Sequence, residues 1–193
     1  MPPISNSHEA ALAPDKLVIL DRDGVINHDS DAYIKSLEEW IPYPAAISAI
    51  ARLTHSGYTV AVATNQSGIS RGYYDVATLN TMHERLVALV EAQGGHIAHI
   101  AYCPHGPEDH CDCRKPLPGL LLEIKQQLGI NTLEGSWMVG DSLRDLQAGE
   151  AMGCSTVLVR TGKGAKTEMK SIGLEKSRIF NDLAEFTDWL CSR

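Results

Sequence analysis

The sequence predicts an α/β protein, a three-layer α/β/α sandwich around a central, mostly parallel sheet. Two observations carry this reading. Short apolar runs rich in β-branched residues and alanine alternate with longer stretches of helical period. The apolar runs also end in polar or acidic residues, as strands do when their carboxyl ends form a ligand-binding rim. Such alternation places helices on both faces of one sheet.

Residues 17–20, LVIL, read as the first strand. A helix follows over 43–55, where Ile47, Ile50, Ala51 and Leu53 form an apolar stripe that Gly57 ends. Residues 58–63, YTVAVA, make a strand of the kind buried on both faces. A long helix is expected over 75–93: Leu79, Met82, Leu86, Leu89 and Val90 recur near the 3.6-residue period, and Gly94-Gly95 stops it. A third strand falls at 97–102, a helix at 117–129, and a fourth strand at 136–140, SWMVG. Residues 142–152 give a short helix with Leu143 and Leu146 inward, and 154–159, CSTVLV, a last core strand. From 161 the chain is polar until a final helix over 183–190.

A chain of 193 residues suits one well-buried domain, and 44% hydrophobic residues is ordinary for a globular one. Residues 1–15 read as a loose polar tail and 16–193 as a single domain. No apolar run approaches the roughly 20 residues of a membrane helix. The opening stretch MPPISNSHEAALAPDK lacks the basic start and apolar middle of a signal peptide, so a cytoplasmic location is expected. A net charge of −7 argues against a nucleic-acid partner. It leaves room for a small anionic substrate if a cation and a few basic residues gather at the site. No strongly apolar helix face announces an interface, and a monomer is expected. Five cysteines, an odd number in a chain without an export signal, point to metal ligation before disulfides.

The strand ends carry the chemistry. The first runs into Asp21-Arg22-Asp23-Gly24, the second into Thr64-Asn65-Gln66-Ser67-Gly68, the third into Cys103-Pro104-His105 and the fourth into Gly140-Asp141-Ser142. Acids crowded on one rim raise each other's pKa values unless they share a cation. Magnesium suits the set, being hard and held by one or two carboxylates together with substrate phosphate and water. A lone Asp-x-Asp would serve equally as a turn or a cap; the polar residues at the other strand ends favour the metal.

Four ordered motifs, DRDGV at 21–25, TNQSG at 64–68, RKP at 114–116 and GDSLRD at 140–145, resemble those of the haloacid dehalogenase-like phosphatases. The likeness runs from Lys16 to about Gly164. It implies a Rossmann-like sheet and fixed roles. Asp21 is then the nucleophile that forms an aspartyl-phosphate, and Asp23 the general acid and base. Thr64 and Asn65 donate to phosphoryl oxygens, and Lys115 offsets charge on the nucleophile and phosphoryl group. Asp21, Asp141 and the backbone carbonyl of Asp23 hold magnesium, with Asp145 a supporting or capping residue. Only about 40 residues separate the first two motifs, too few for a cap domain, so a capless form is expected. Recognition then falls to the loops 27–43, 67–74 and 103–114.

The stretch CPHGPEDHCDC at 103–113 is a second metal candidate. Cys103, His105, Cys111 and Cys113 make a plausible tetrahedral Cys₃His zinc set, with His110 as a rival ligand. A structural zinc here fixes Arg114 and Lys115, which follow at once. Magnesium phosphatases with such a loop act on a heptose 1,7-bisphosphate or on histidinol phosphate, and CPH…CDCRKP is common to both. LDRDGVIN, VATNQSGISRGYY, YCPHGP, CDCRKPLPG, MVGDSLRDLQAG and VLVRTGKG resemble the heptose-acting group. That resemblance implies removal of the C7 phosphate on the route to nucleotide-activated heptose, a lipopolysaccharide core precursor. It also implies a substrate-binding set of Asp29, Ser30, Asp31, Ala32, Asn65, Gln66, Ser67, Arg114 and Ser142. NHDSDAY at 27–33 is one residue longer than usual in that group. Histidinol phosphate is the rival substrate, and a silent zinc-bearing interaction module the rival class.

Overall fold

The computed structural model describes residues 11–193. The expected tail thus lies mostly outside the described residues; within them Pro14–Lys16 forms a single 3-10 turn, tied down where Ser136 Oγ donates to the Pro14 carbonyl (2.8 Å).

In chain order the elements are β1 Leu17–Leu20, α1 Pro44–His55, β2 Thr59–Asn65, α2 Val76–Ala92, β3 His99–Cys103, α3 Gly119–Gln127 and β4 Trp137–Gly140. Then come α4 Leu143–Ala151, β5 Ser155–Val159, α5 Gly164–Lys170, β6 Arg178–Phe180 and α6 Leu183–Cys191. The five strands and five helices expected from the sequence all form. Two short elements, α5 and β6, were not foreseen. Both lack the periodic signal: α5 is a polar stretch whose one buried residue is Gly164, and β6 is a half-buried edge of three residues.

Among the described residues six strands form one all-parallel sheet in the order β3-β2-β1-β4-β5-β6. The direction of winding reverses at β1, so the ends of β1 and β4 lie side by side, where open parallel sheets bind ligands. Strand residues alternate between two cores. Val18, Leu20, Val60, Val62 and Val139 pack with the inner faces of α1, α2 and α6 on one side. Leu17, Ile19, Ala61, Ala63 and Met138 pack with α3 and α4 on the other. The β1 residues are fully buried, which explains the unbroken apolar run.

Two helix starts carry a carboxylate cap. The Thr78 N–H donates to the Asp75 carboxylate (2.8 Å) at α2, and the Glu185 N–H to Asp182 (2.8 Å) at α6. No helix of the described residues is long and apolar enough to cross a membrane.

Candidate active site

The fully buried β1 ends one residue before Asp21, whose N–H donates to the Val139 carbonyl of β4 (2.9 Å). That bond fixes Asp21 against the end of β4, and Asp141 follows that strand by one residue. Carboxylate oxygens of Asp21, Asp141 and Asp145 lie within 4.8 Å of one another. Lys115 Nζ sits among them, 2.9 Å from Asp21 Oδ1 and 2.7 Å from Asp145 Oδ1, and also donates to the Ala63 carbonyl (2.7 Å). Asp21 Oδ1 takes a second bond from the Arg22 N–H (2.8 Å).

Three buried carboxylates against one ammonium leave a surplus of negative charge. Burial pushes Asp21 well above the ordinary carboxylate range, helped by the Asp145 charge and opposed by Lys115. Burial and then Asp145 push Asp141 up to about 7, against the pull of the Lys163 N–H. Burial alone would lower Lys115, but Asp145 and Asp21 outweigh it and hold the ammonium above its usual value. A divalent cation relieves this imbalance, and an all-oxygen donor set suits magnesium. The backbone leaves room for the Asp141 carboxylate: a Cβ on Gly24, at φ +84°, would meet Asp141 Oδ2 at 2.1 Å, and one on Gly162 at 2.4 Å.

The Asp23 carboxylate has partners of its own. It accepts from Arg22 Nε (2.9 Å), Asn27 Nδ2 (2.9 Å) and Gln66 Nε2 (3.1 Å). The Tyr74 hydroxyl donates to Gln66 Oε1 (2.5 Å) and so holds the amide in place. Behind Arg22, its Nη1 lies 3.3 Å from Nε2 of the buried His83.

The site residues expected from sequence gather mostly at one cleft of about 270 Å³. Asp29, Ser30 and Asp31 line one wall; Asn65, Gln66, Ser67, Arg114 and Ser142 line the rest, around Asp21, Asp23, Lys115 and Asp141. Ala32 and Thr64 are not on its wall. Ala32 is exposed in a turn where its N–H donates to Ser30 Oγ, and Thr64 is fully buried beneath Gln66, whose Nε2 donates to its hydroxyl (2.9 Å). The carboxamide of Asn65, expected on a phosphoryl oxygen, brackets a peptide instead: Oδ1 accepts from the Lys115 N–H (3.0 Å) and Nδ2 donates to the Lys115 carbonyl (3.1 Å). The Gln66 amide is likewise engaged, its Nε2 donating to Asp23 and Thr64 and its Oε1 accepting from Tyr74.

The sequence reading left Asp145 without a firm role and named neither Lys163 nor Arg144 for the cleft, nor Tyr33, Ile34 and Tyr74, which also line it. Asp145 was expected as a supporting or capping residue, and its geometry has both features: it accepts from Ser142 N (3.1 Å) and Oγ (3.0 Å), and its other oxygen pairs with Lys115. Lys163 reaches Asp29 (3.5 Å) and Asp31 (3.8 Å), and its N–H donates to Asp141 Oδ2 (2.9 Å). Arg144 lines the cleft from the first turn of α4. Position four after Asp141 signalled Asp145; nothing local marked Lys163 or Arg144.

The four expected zinc ligands converge as well. Cys103 Sγ lies 3.7 Å from His105 Nδ1 and from Cys111 Sγ, and His105 Nδ1 3.4 Å from Cys113 Sγ. A tetrahedron with Zn–S near 2.3 Å has edges of about 3.8 Å, so these spacings fit; the 3.0 Å between Cys113 and Cys103 is the tight edge. His110 is exposed and outside the cluster.

Parallel-sheet topology, strand-end aspartates and a buried lysine together define a haloacid dehalogenase-like hydrolase. A family model described as HAD-hydrolase-like matches residues 112–186. A D-glycero-β-D-manno-heptose-1,7-bisphosphate 7-phosphatase of Pseudomonas putida is 62% identical over 88% of this chain and 95% of its own length. That of Pseudomonas aeruginosa is 61% identical over 87% and 93%. The crystal structure of D,D-heptose 1,7-bisphosphate phosphatase from B. bronchiseptica, complexed with magnesium and phosphate, superposes with a TM-score of 0.88 at 49% identity, covering 92% of this chain and 98% of that one. The chain belongs to the family of D-glycero-β-D-manno-heptose-1,7-bisphosphate 7-phosphatases.

Proposed function

We propose that the protein is a phosphoric monoester hydrolase that removes the C7 phosphate of D-glycero-β-D-manno-heptose 1,7-bisphosphate. The observation that carries this is Asp21 at the end of β1, touching Lys115 and sharing an anionic cluster with Asp141. The names of the relatives supply the substrate, and the magnesium and phosphate in the B. bronchiseptica structure support the metal and the leaving product.

Asp21 Oδ1 is engaged by Lys115 and the Arg22 N–H, so Oδ2 is the attacking oxygen. It forms a bond to phosphorus as the bond from phosphorus to the C7 oxygen breaks. Asp23, held by Arg22, Asn27 and Gln66, delivers a proton to that departing oxygen. It then takes a proton from the water that attacks the aspartyl-phosphate, which releases phosphate and restores Asp21. Lys115 stabilises charge on the phosphoryl oxygens and the nucleophile. Asp21, Asp141 and the Asp23 carbonyl would hold magnesium, which when bound supplies charge neutralisation at the phosphoryl group. Asp29, Ser30 and Asp31 face the sugar hydroxyls, and Arg114 the remainder of the substrate.

Cys103, His105, Cys111 and Cys113 would hold a structural zinc, with all four positions filled by protein. We read residues 16–193 as one domain and the protein as a cytoplasmic monomer acting on a small molecule.

Phosphate release from the heptose bisphosphate, histidinol phosphate and short DNA ends, each with magnesium, tests the reading. The heptose ester is expected to turn over fastest; equal rates with histidinol phosphate would overturn the assignment. Asp21→Asn is expected to abolish turnover with the circular dichroism spectrum intact, and activity within tenfold of wild type would remove Asp21 as nucleophile.

A further inference from the structure

Four cations line the cleft: Arg114, Lys115, Arg144 and Lys163. Two are matched. Lys115 pairs with Asp21 and Asp145, and Lys163 with Asp29 and Asp31. Among the described residues no carboxylate comes within 4.0 Å of Arg114 or Arg144. The two unmatched guanidinium groups therefore face one cavity.

They reach it from separate elements. Arg114 follows Cys113 directly, and its Nη1 donates to the His105 carbonyl (3.4 Å), so the cysteine–histidine loop carries it. Arg144 stands in the first turn of α4, between Leu143 and the Asp145 that Ser142 and Lys115 hold. Both also line a second cavity beside Pro116 and Leu117, which leaves them solvated rather than packed. Two like charges facing one cleft repel unless an anion lies between them, and guanidinium forks give a phosphate dianion paired hydrogen bonds. Elsewhere in the cleft Asp29 and Asp31, with a matched Lys163, repel a dianion but accept bonds from hydroxyl groups.

We infer that Arg144 and Arg114 together form the subsite for the phosphomonoester at the end of the substrate remote from the bond that breaks, making Arg144 a specificity-determining residue. This rests on the bisphosphate reading above. The subsite explains how a capless cleft selects a bisphosphate: the dianion fixes one end at the arginines while Asp29 and Asp31 take the hydroxyls between.

The test compares the heptose 1,7-bisphosphate with the heptose 7-phosphate, which lacks the remote group, using the magnesium-loaded wild type, Arg144→Gln and Arg144→Lys. In Arg144→Gln the KM for the bisphosphate is expected to rise roughly 10–100-fold, the range of one charge-assisted contact, with kcat within about threefold. The KM for the monophosphate should move far less, so the preference for the bisphosphate collapses. Arg144→Lys, a point charge without the fork, should fall between. The inhibition constant of the heptose 1-phosphate product, which keeps the remote phosphate, should rise in parallel. An equal rise for both esters would mean that Arg144 acts only through the general field, and no change in either would remove it from recognition; each overturns the subsite. A wild type that hydrolyses both esters equally well has no such subsite, although the phosphatase reading survives. A wild type inactive on both sinks that reading, and the subsite with it.

Discussion

Lys115 shows how one side chain serves both stability and chemistry. It is 2% exposed and bonded to two acids and a carbonyl. Removing it strands those carboxylates without a counter-charge, a change that costs about 3–5 kcal/mol for buried pairs. Lys115→Met should therefore lower the denaturant midpoint as well as kcat, the latter by roughly 10²–10³. Addition of magnesium should recover part of the stability and little of the rate. His83 offers a second titration, one contact removed from the acids, through Arg22. Burial, then the Arg22 charge, lowers its pKa to about 3 from a usual 6.5. The folded state thus binds fewer protons than the unfolded one between those values, so His83 contributes stability above pH 6.5 that is lost as pH falls toward 3. His83→Gln keeps an acceptor for Arg22, and its urea stability should decline less steeply over that range. At this scale Asp21, Asp23 and Asp141 were legible because acids ending apolar runs have few structural uses. The partners of Asn65 and Gln66 were not. A carboxamide reads as a ligand contact in sequence, and only the fold shows that its bonds go to Lys115 and Asp23.

Loops between elements set the site, and two of them are close-fitting. After β1 the chain turns at Gly24, and after β5 at Gly162, with the Asp141 carboxylate packed against both. Gly24→Ala meets both a positive φ and the Asp141 oxygen at 2.1 Å. It should lose at least about 1 kcal/mol of stability and weaken magnesium binding measurably by calorimetry. The cysteine–histidine loop joins β3 to α3 and leads straight into Arg114 and Lys115. One zinc per chain is expected by elemental analysis, and Cys113→Ser should reduce it to well under half an equivalent while raising KM. Full activity without zinc would separate the loop from catalysis. Helices and strands with a clear period were legible in the sequence. The α5 and β6 segments were not, because the neighbouring edge of the sheet supplies the order that their composition lacks.

Over the whole molecule, parallel pairing of β1 with both β2 and β4 creates the rim. No single segment contains it. A ligand that binds only this assembled state stabilises the fold by mass action. Magnesium with inorganic phosphate should accordingly raise the thermal midpoint of the wild type by several degrees, and raise that of Asp141→Asn by much less. Light scattering is expected to give a mass near 21.0 kDa, the value for a monomer.

By itself the sequence determined the layer architecture, and it picked out Asp21, Asp141 and the cysteine–histidine set that the structure brings together. Hydrophobic period and strand-end chemistry are local, and four ordered motifs survive any detail of packing. Tertiary structure alone decided which charges are matched: Lys115 by Asp145, Lys163 by Asp29 and Asp31, and Arg114 and Arg144 by no carboxylate among the described residues. Coulombic partnership depends on distances of a few ångströms between residues up to some 130 positions apart, and linear spacing does not encode those distances.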